Sequence, residues 1–188
     1  MAAFPLSFEF YPPKTDEQAA QLDRTVDKLK GHAPEFVSCT FGAGGSTLSN
    51  TSETVRRLRT EHKLDGVPHL TCVGGSKEEI RSLLKLYRAL GCNRIVALRG
   101  DMPSGMIAQG EFRYANELVE FIRSEHADHF HLEIAAYPET HPQARDAQSD
   151  LANFKRKAEA GADSAITQYF YNTDAYFRFV DDVRALGI

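Results

Sequence analysis

The chain has 188 residues, of which 42% are hydrophobic and 26% charged; this suits one globular domain with a sizeable core and excludes a disordered composition. A formal net charge of -4 and a pI near 6.0 supply no basic field for nucleic acid or an anionic membrane, so the expected partner is a small molecule. No apolar run approaches the ~20 residues of a membrane span, MAAFPL lacks the regions of a signal peptide, and Cys39, Cys72 and Cys92 are too scattered for a disulfide framework or a zinc ribbon, which predicts a cytoplasmic protein with reduced thiols.

Ser7 to Pro13 reads SFEFYPP. A strand here places Phe8 and Phe10 on one face and Ser7, Glu9 and Tyr11 on the other, and the paired prolines end it. Glu9 therefore falls near the strand's C-terminal end, where parallel α/β folds keep their chemistry. The competing reading is a structural ion pair inside a polar barrel. Asp16 to Gly31 predicts a helix, with Asp16 as N-cap and Gly31 as stop. Phe36 to Thr40 is a second strand opening into the glycine-rich loop 41–46, a place for backbone to approach a ligand. A helix over 49–61 precedes a third strand, Pro68 to Val73. The periodic helix Lys77 to Gly91 leads to the apolar strand Arg94 to Leu98, which turns at Arg99-Gly100-Asp101. A loop with Pro103, Gly105 and Gly110 precedes a helix over Tyr114 to Ser124. His131 to Tyr137 is a fifth strand, Gln143 to Gly161 a helix, Ser164 to Tyr169 a sixth strand, and Thr173 to Leu186 a last helix.

Strand starts near 7, 36, 68, 94, 131 and 164 describe a βα repeat. That repeat fits either a doubly wound sheet or a (β/α)8 TIM barrel shortened to about six units, since a full barrel takes about 250 residues. The barrel is favoured: no G-x-G-x-x-G follows the first strand, and polar residues sit within or at the ends of strands at Glu9, Ser38, Thr40, His69, Thr71, Thr167 and Gln168. The expectation is a single α/β barrel domain over 1–188, incomplete at its C-terminus, with strands seven and eight missing.

The strand ends bring Glu9, Thr40, His69, Arg99, Asp101, Tyr137 and Gln168 to one face. All the lysines (14, 28, 30, 63, 77, 85, 155 and 157) fall in loops or helices, which argues against Schiff-base chemistry. His126, His129 and His131 cluster before strand five, at the wrong end for a metal site, and no metal is expected. On the fifth helix Asp150, Asn153 and Lys157 share a stripe, with Arg156 further round. Either a solvated face or a site for a polar cofactor accounts for that stripe.

Six ordered motifs, SFEFYPP (7–13), PHLTC (68–72), VALRGD (96–101), AAYPETHP (135–142), DLANFKRK (150–157) and AITQYFY (165–171), resemble the methylenetetrahydrofolate reductases across almost the whole chain. The resemblance implies a barrel holding FAD without a covalent link. It implies reduction of 5,10-methylenetetrahydrofolate to 5-methyltetrahydrofolate with NADH or NADPH by a ping-pong route that feeds methionine synthesis, and a homo-oligomer at full length. It casts Glu9 as the general acid, held dry among Phe8, Phe10 and the flavin, and Asp101 as the aspartate that tunes flavin and folate. Thr40 and Gln168 then meet folate, with Gln168 also at the nicotinamide. The implied FAD positions are His69, Leu98, Arg99, Gly100, Asp101, Tyr114, Ala115, Tyr137, His141, Asp150, Asn153, Arg156 and Lys157. Lys157 and Arg156 face phosphates or ribose, Tyr137 faces the ring, and Gly100 leaves it room. The loop after strand two departs from the family pattern at Leu48-Ser49-Asn50. The alternative is a non-catalytic FAD-binding or oligomerisation fragment of the same fold.

Overall fold

Strands and helices alternate through the chain in a computed structural model that describes residues 4–41, 47–101 and 110–188, the side chains of 47–49 excepted. In order they are β1 (Ser7–Phe10), α1 (Asp16–Leu29), β2 (Phe36–Cys39), α2 (Thr47–Thr60), β3 (Gly66–Thr71), α3 (Lys77–Ala89), β4 (Arg94–Leu98), α4 (Ala115–His126), β5 (His131–Ala136), α5 (Ala147–Glu159), β6 (Ser164–Thr167) and α6 (Thr173–Ala185). All strand pairs are parallel and the sheet order is β1-β2-β3-β4-β5-β6. A doubly wound sheet reverses direction part-way along its strand order, and this one does not. It is a run of six βα units laid down as in a TIM barrel. Among the described residues β1 and β6 each pair on one side only.

The helices all cover one face. Phe10 and Val37 pack with Val26 of α1 and Leu58 of α2. Leu70, Ile95, Ala97, Leu132 and Ile134 pack under Val55, Leu84, Tyr87, Leu118, Ile122 and Phe154. On the opposite face lies a smaller apolar layer of Phe36, Val67 and Val96. Strands buried on both faces explain the near-continuous apolar runs of β2, β3 and β4.

Several boundaries differ from the sequence reading. β1 stops at Phe10, three residues before Pro13. Thr15, not Asp16, caps α1: its side chain accepts from the Gln18 N–H, an interaction worth about 1 kcal/mol. Gly31 lies in a 3-10 turn, and the left-handed residue that ends it is Ala33. β3 begins at Gly66, ahead of Pro68, because Gly66 and Val67 already pair with Val37 and Ser38. α5 begins at Ala147 behind the Asp146 cap, so 143–146 remain loop. Ser76 and Glu79 form a reciprocal capping box at the start of α3. The glycine-rich stretch 42–46 and the loop with Pro103 and Gly105 lie outside the described residues.

Candidate active site

The register sets Glu9 opposite Ser38 and Ser38 opposite Val67, so Glu9 shares the face that carries Val67 and, two residues on, His69. Glu9 Oε2 stands 3.5 Å from His69 Nε2. The two side chains have unlike surroundings: the imidazole is 8% exposed and the carboxylate 55%. Burial pushes the His69 pKa down to about 4 and, more weakly, raises that of Glu9. Phe8 and Phe10 do not enclose Glu9. They point the other way, into the layer beneath α1 and α2, as alternation along a strand requires. Among the described residues the charged-group contact of the carboxyl is with His69.

Thr40 follows directly on β2 and its N–H bonds the Phe10 carbonyl; its own carbonyl accepts from Thr51 Oγ1. Beyond Leu98, the end of β4, Arg99 Nη2 donates to Gln143 Oε1 at 2.6 Å, tying this exit to the segment after β5. Gly100 has φ 84, and an added Cβ would lie 2.9 Å from Thr71 Cβ, so both the backbone conformation and the approach of Thr71 call for glycine here. Asp101 is exposed at the same exit. Its charge reaches Tyr137, whose phenol pKa is raised by burial first and then by Asp101 and Asp150. Tyr114 precedes α4, with Ala115 the first helical residue, and the Tyr114 carbonyl accepts from Cys72 Sγ at 3.7 Å, placing this turn over the exit of β3. Gly110 reinforces the placement: a Cβ there would meet Gly75 O at 2.7 Å.

At β5, the rings of Tyr137 and His141 meet edge to face at 4.4 Å, and the His141 N–H donates to Asp150 Oδ2 at 2.8 Å. Lys157 Nζ donates to the Ala135 carbonyl, and burial brings its pKa down to about 8 against the opposing pull of Asp150. Asn153 and Arg156 are exposed on α5. Gln168 follows β6, its N–H on the Ala136 carbonyl and its side-chain Oε1 accepting from the Tyr169 N–H. The fold thus gathers Glu9 with His69, Arg99 with Gln143, and Tyr137 with His141 and Asp150, while Asn153, Arg156 and Gln168 make no side-chain link to these groups among the described contacts.

Two participants escaped the sequence reading. Gln143 carries no motif of its own; its place two residues after His141, whose Nδ1 accepts from the Gln143 N–H, was the available signal. The second is a cavity of about 550 Å3 between α5 and α6, lined by Tyr137, Asp150, Leu151, Asn172, Arg178 and Phe179 among others. In the sequence its α6 wall shows only as the last helix of the repeat.

The family model for methylenetetrahydrofolate reductase matches residues 2–188. The chain belongs to the methylenetetrahydrofolate reductase family. It is 42% identical over 183 residues to the 5,10-methylenetetrahydrofolate reductase of Escherichia coli K12, covering 97% of this chain and 60% of the relative. It is 40% identical over 195 residues to methylenetetrahydrofolate reductase (NADH) 1 of Arabidopsis thaliana, covering 97% of this chain and 33% of that one. Hence this member of the family spans about 60% of the length of its bacterial relatives. A solved structure of a Clostridium thermocellum protein that binds two copies of 5-methyl-5,6,7,8-tetrahydrofolic acid aligns at a TM-score of 0.64 over 97% of this chain and 60% of that one, at 16% identity, and supports the fold alone. Among the described residues no helix of this methylenetetrahydrofolate reductase family chain is long and apolar enough to cross a membrane.

Proposed function

We propose that this chain is the Glu9-bearing part of a 5,10-methylenetetrahydrofolate reductase that forms 5-methyltetrahydrofolate with NAD(P)H in two alternating half-reactions. The observation that carries the reading is Glu9 itself: a strand carboxyl at the C-terminal mouth of the sheet, its pKa raised, in a chain of this family. A carboxyl with a raised pKa retains its proton closer to neutrality, as a general acid must. It would protonate the folate nitrogen as the methylene bridge opens. Asp101, exposed and negative across the mouth, would favour the cation that develops on the substrate carbon. Thr40 and Gln168 flank the same opening and would bind folate.

The donor set suits FAD. The Tyr137 ring, the Arg99 guanidinium, and the Asp150, Asn153, Arg156 and Lys157 side chains of α5 offer the aromatic face, the hydroxyl partners and the cations that a flavin dinucleotide requires. When bound, FAD would take a hydride from the nicotinamide and pass it to the folate. The residues of this chain would hold it, keep water from the mouth and deliver the proton from Glu9. Family membership also supports folate and NAD(P)H as this chain's small-molecule partners.

The test uses protein expressed from its whole reading frame. Glu9→Gln is expected to leave anaerobic bleaching of bound flavin by NADH within about threefold of the parent while cutting reoxidation by methylenetetrahydrofolate by more than about 100-fold, the scale of a lost general acid. Equal loss of both halves would make Glu9 structural and overturn the reading.

A further inference from the structure

Among the described residues, buried side-chain nitrogens and oxygens without a hydrogen-bond partner are His69 Nε2 and His126 Nε2. An orphaned buried nitrogen costs free energy, so a reason for its place is needed. His126 lies at the end of α4, beside the Phe130 ring and remote from the mouth. His69 Nε2 points at Glu9 Oε2 from 3.5 Å, a separation that a small rotation of the half-exposed carboxyl would close.

The surrounding charges restrict what this pair can do. From β2, Cys39 feels the Glu9 charge, yet its thiol is held up at about 12 mainly by burial and stays neutral. At the exit of β4, Arg99 is engaged by Gln143 and the Gly100 carbonyl, and Asp101 carries a negative charge rather than a compensating one. Burial is the cause of the displacement of both Glu9 and His69. With its pKa near 4 the imidazole is neutral across the physiological range, so it exerts no full positive charge to ionise Glu9. Were Nε2 to carry the ring proton, it would donate to a carboxylate and hold Glu9 ionised, the wrong state for a general acid. With the proton on Nδ1, Nε2 is an acceptor, and the only proton in the contact belongs to the carboxyl.

We propose that His69 is the positioning residue for the Glu9 proton: its bare Nε2 accepts a hydrogen bond from the Glu9 carboxylic acid, stabilising the acid form and aiming it at the mouth. This deepens, and rests on, the reading of Glu9 as general acid. Its physical content is separate, because the tautomer of one ring can be observed without folate or turnover.

The experiment is two-bond proton–nitrogen NMR on protein labelled with nitrogen-15 histidine, with the His69 signals identified by their loss in His69→Asn. The expected result at pH 7 is an Nδ1–H tautomer with Nε2 as a bare nitrogen, and a step in the Nε2 shift as Glu9 titrates. In Glu9→Gln the tautomer should persist, since the amide can donate, while the step disappears. In Glu9→Leu the Nε2 signal should move towards that of an unbonded nitrogen, and the dispersion of the remaining histidine signals reports whether the variant is folded. An Nε2–H tautomer at pH 7, or a His69 spectrum indifferent to both substitutions, would overturn the proposal whatever the reductase assay shows.

Discussion

Two glutamates in this molecule sit in nearly the same local sequence, Glu9 between Phe8 and Phe10 and Glu133 between Leu132 and Ile134, and their surroundings are opposite. Glu133 is 5% exposed and saturated: Arg94 Nη1 donates to Oε1 at 2.5 Å, Ser164 Oγ donates to Oε2 at 2.6 Å, and His131 Nε2 supports Ser164 from 2.6 Å. Arg94 also reaches Glu35 and lies over the Phe36 ring at 4.6 Å. Glu9, half exposed, faces one histidine whose nitrogen is unsatisfied. At the N-terminal end of the sheet the Glu133 carboxylate is answered on both oxygens, and at the C-terminal end the Glu9–His69 pair is left unsatisfied. The difference separates a buried, fully paired carboxylate from a half-exposed one that is free to take the role proposed for it.

The contrast can be broken most forcefully at the base. Arg94→Ala would leave Glu133 buried without its cation, and urea unfolding at pH 7 should show a loss of about 3 kcal/mol. A loss under about 1 kcal/mol, the range of a surface pair, would reduce the base to an ordinary ion pair and dissolve the distinction. The acid limb of the stability curve sharpens it next. Unfolded histidine binds a proton below about 6.5, whereas buried His69 does so only near 4, so the unfolded state holds more protons between these values and stability falls as pH is lowered through that window. The contribution approaches about 3 kcal/mol. Comparing parent with His69→Leu at pH 7 and pH 4.5 should show the slope flattened in the variant; parallel curves would deny that the imidazole is buried neutral. Smallest is the effect of Glu9→Gln on folding. Its half-exposed side chain makes no satisfied ion pair, so unfolding free energy at pH 7 should stay within about 0.5 kcal/mol of the parent. A substantial loss would move Glu9 into the structural class with Glu133.

Much of this architecture is legible in the chain, because each βα unit repeats one instruction: a short apolar run, then a periodic helix. β4 is recovered at both ends, since Arg94 and Arg99 bracket an uninterrupted RIVAL. Pro68 misled the placement of β3, for a proline reads as a strand's first residue while the pairing with β2 had already begun at Gly66. The polar Gln143 to Asp146 is compatible with helix by propensity, and only the Asp146 cap decides that helix starts later. Glu133 was passed over although it shows the same pattern that singled out Glu9. Local sequence tells which face a side chain takes but not which partners arrive from Arg94, some 39 residues earlier, or Ser164, 31 residues later. The Glu9–His69 contact is hidden for the same reason: it depends on the stagger between β1 and β3, a property of the assembled sheet.

Because the sheet order copies the chain order, each strand from β2 to β6 finds one neighbour already made by the time it leaves the ribosome. The units can therefore dock vectorially from β2 to β6, each new edge templating its successor.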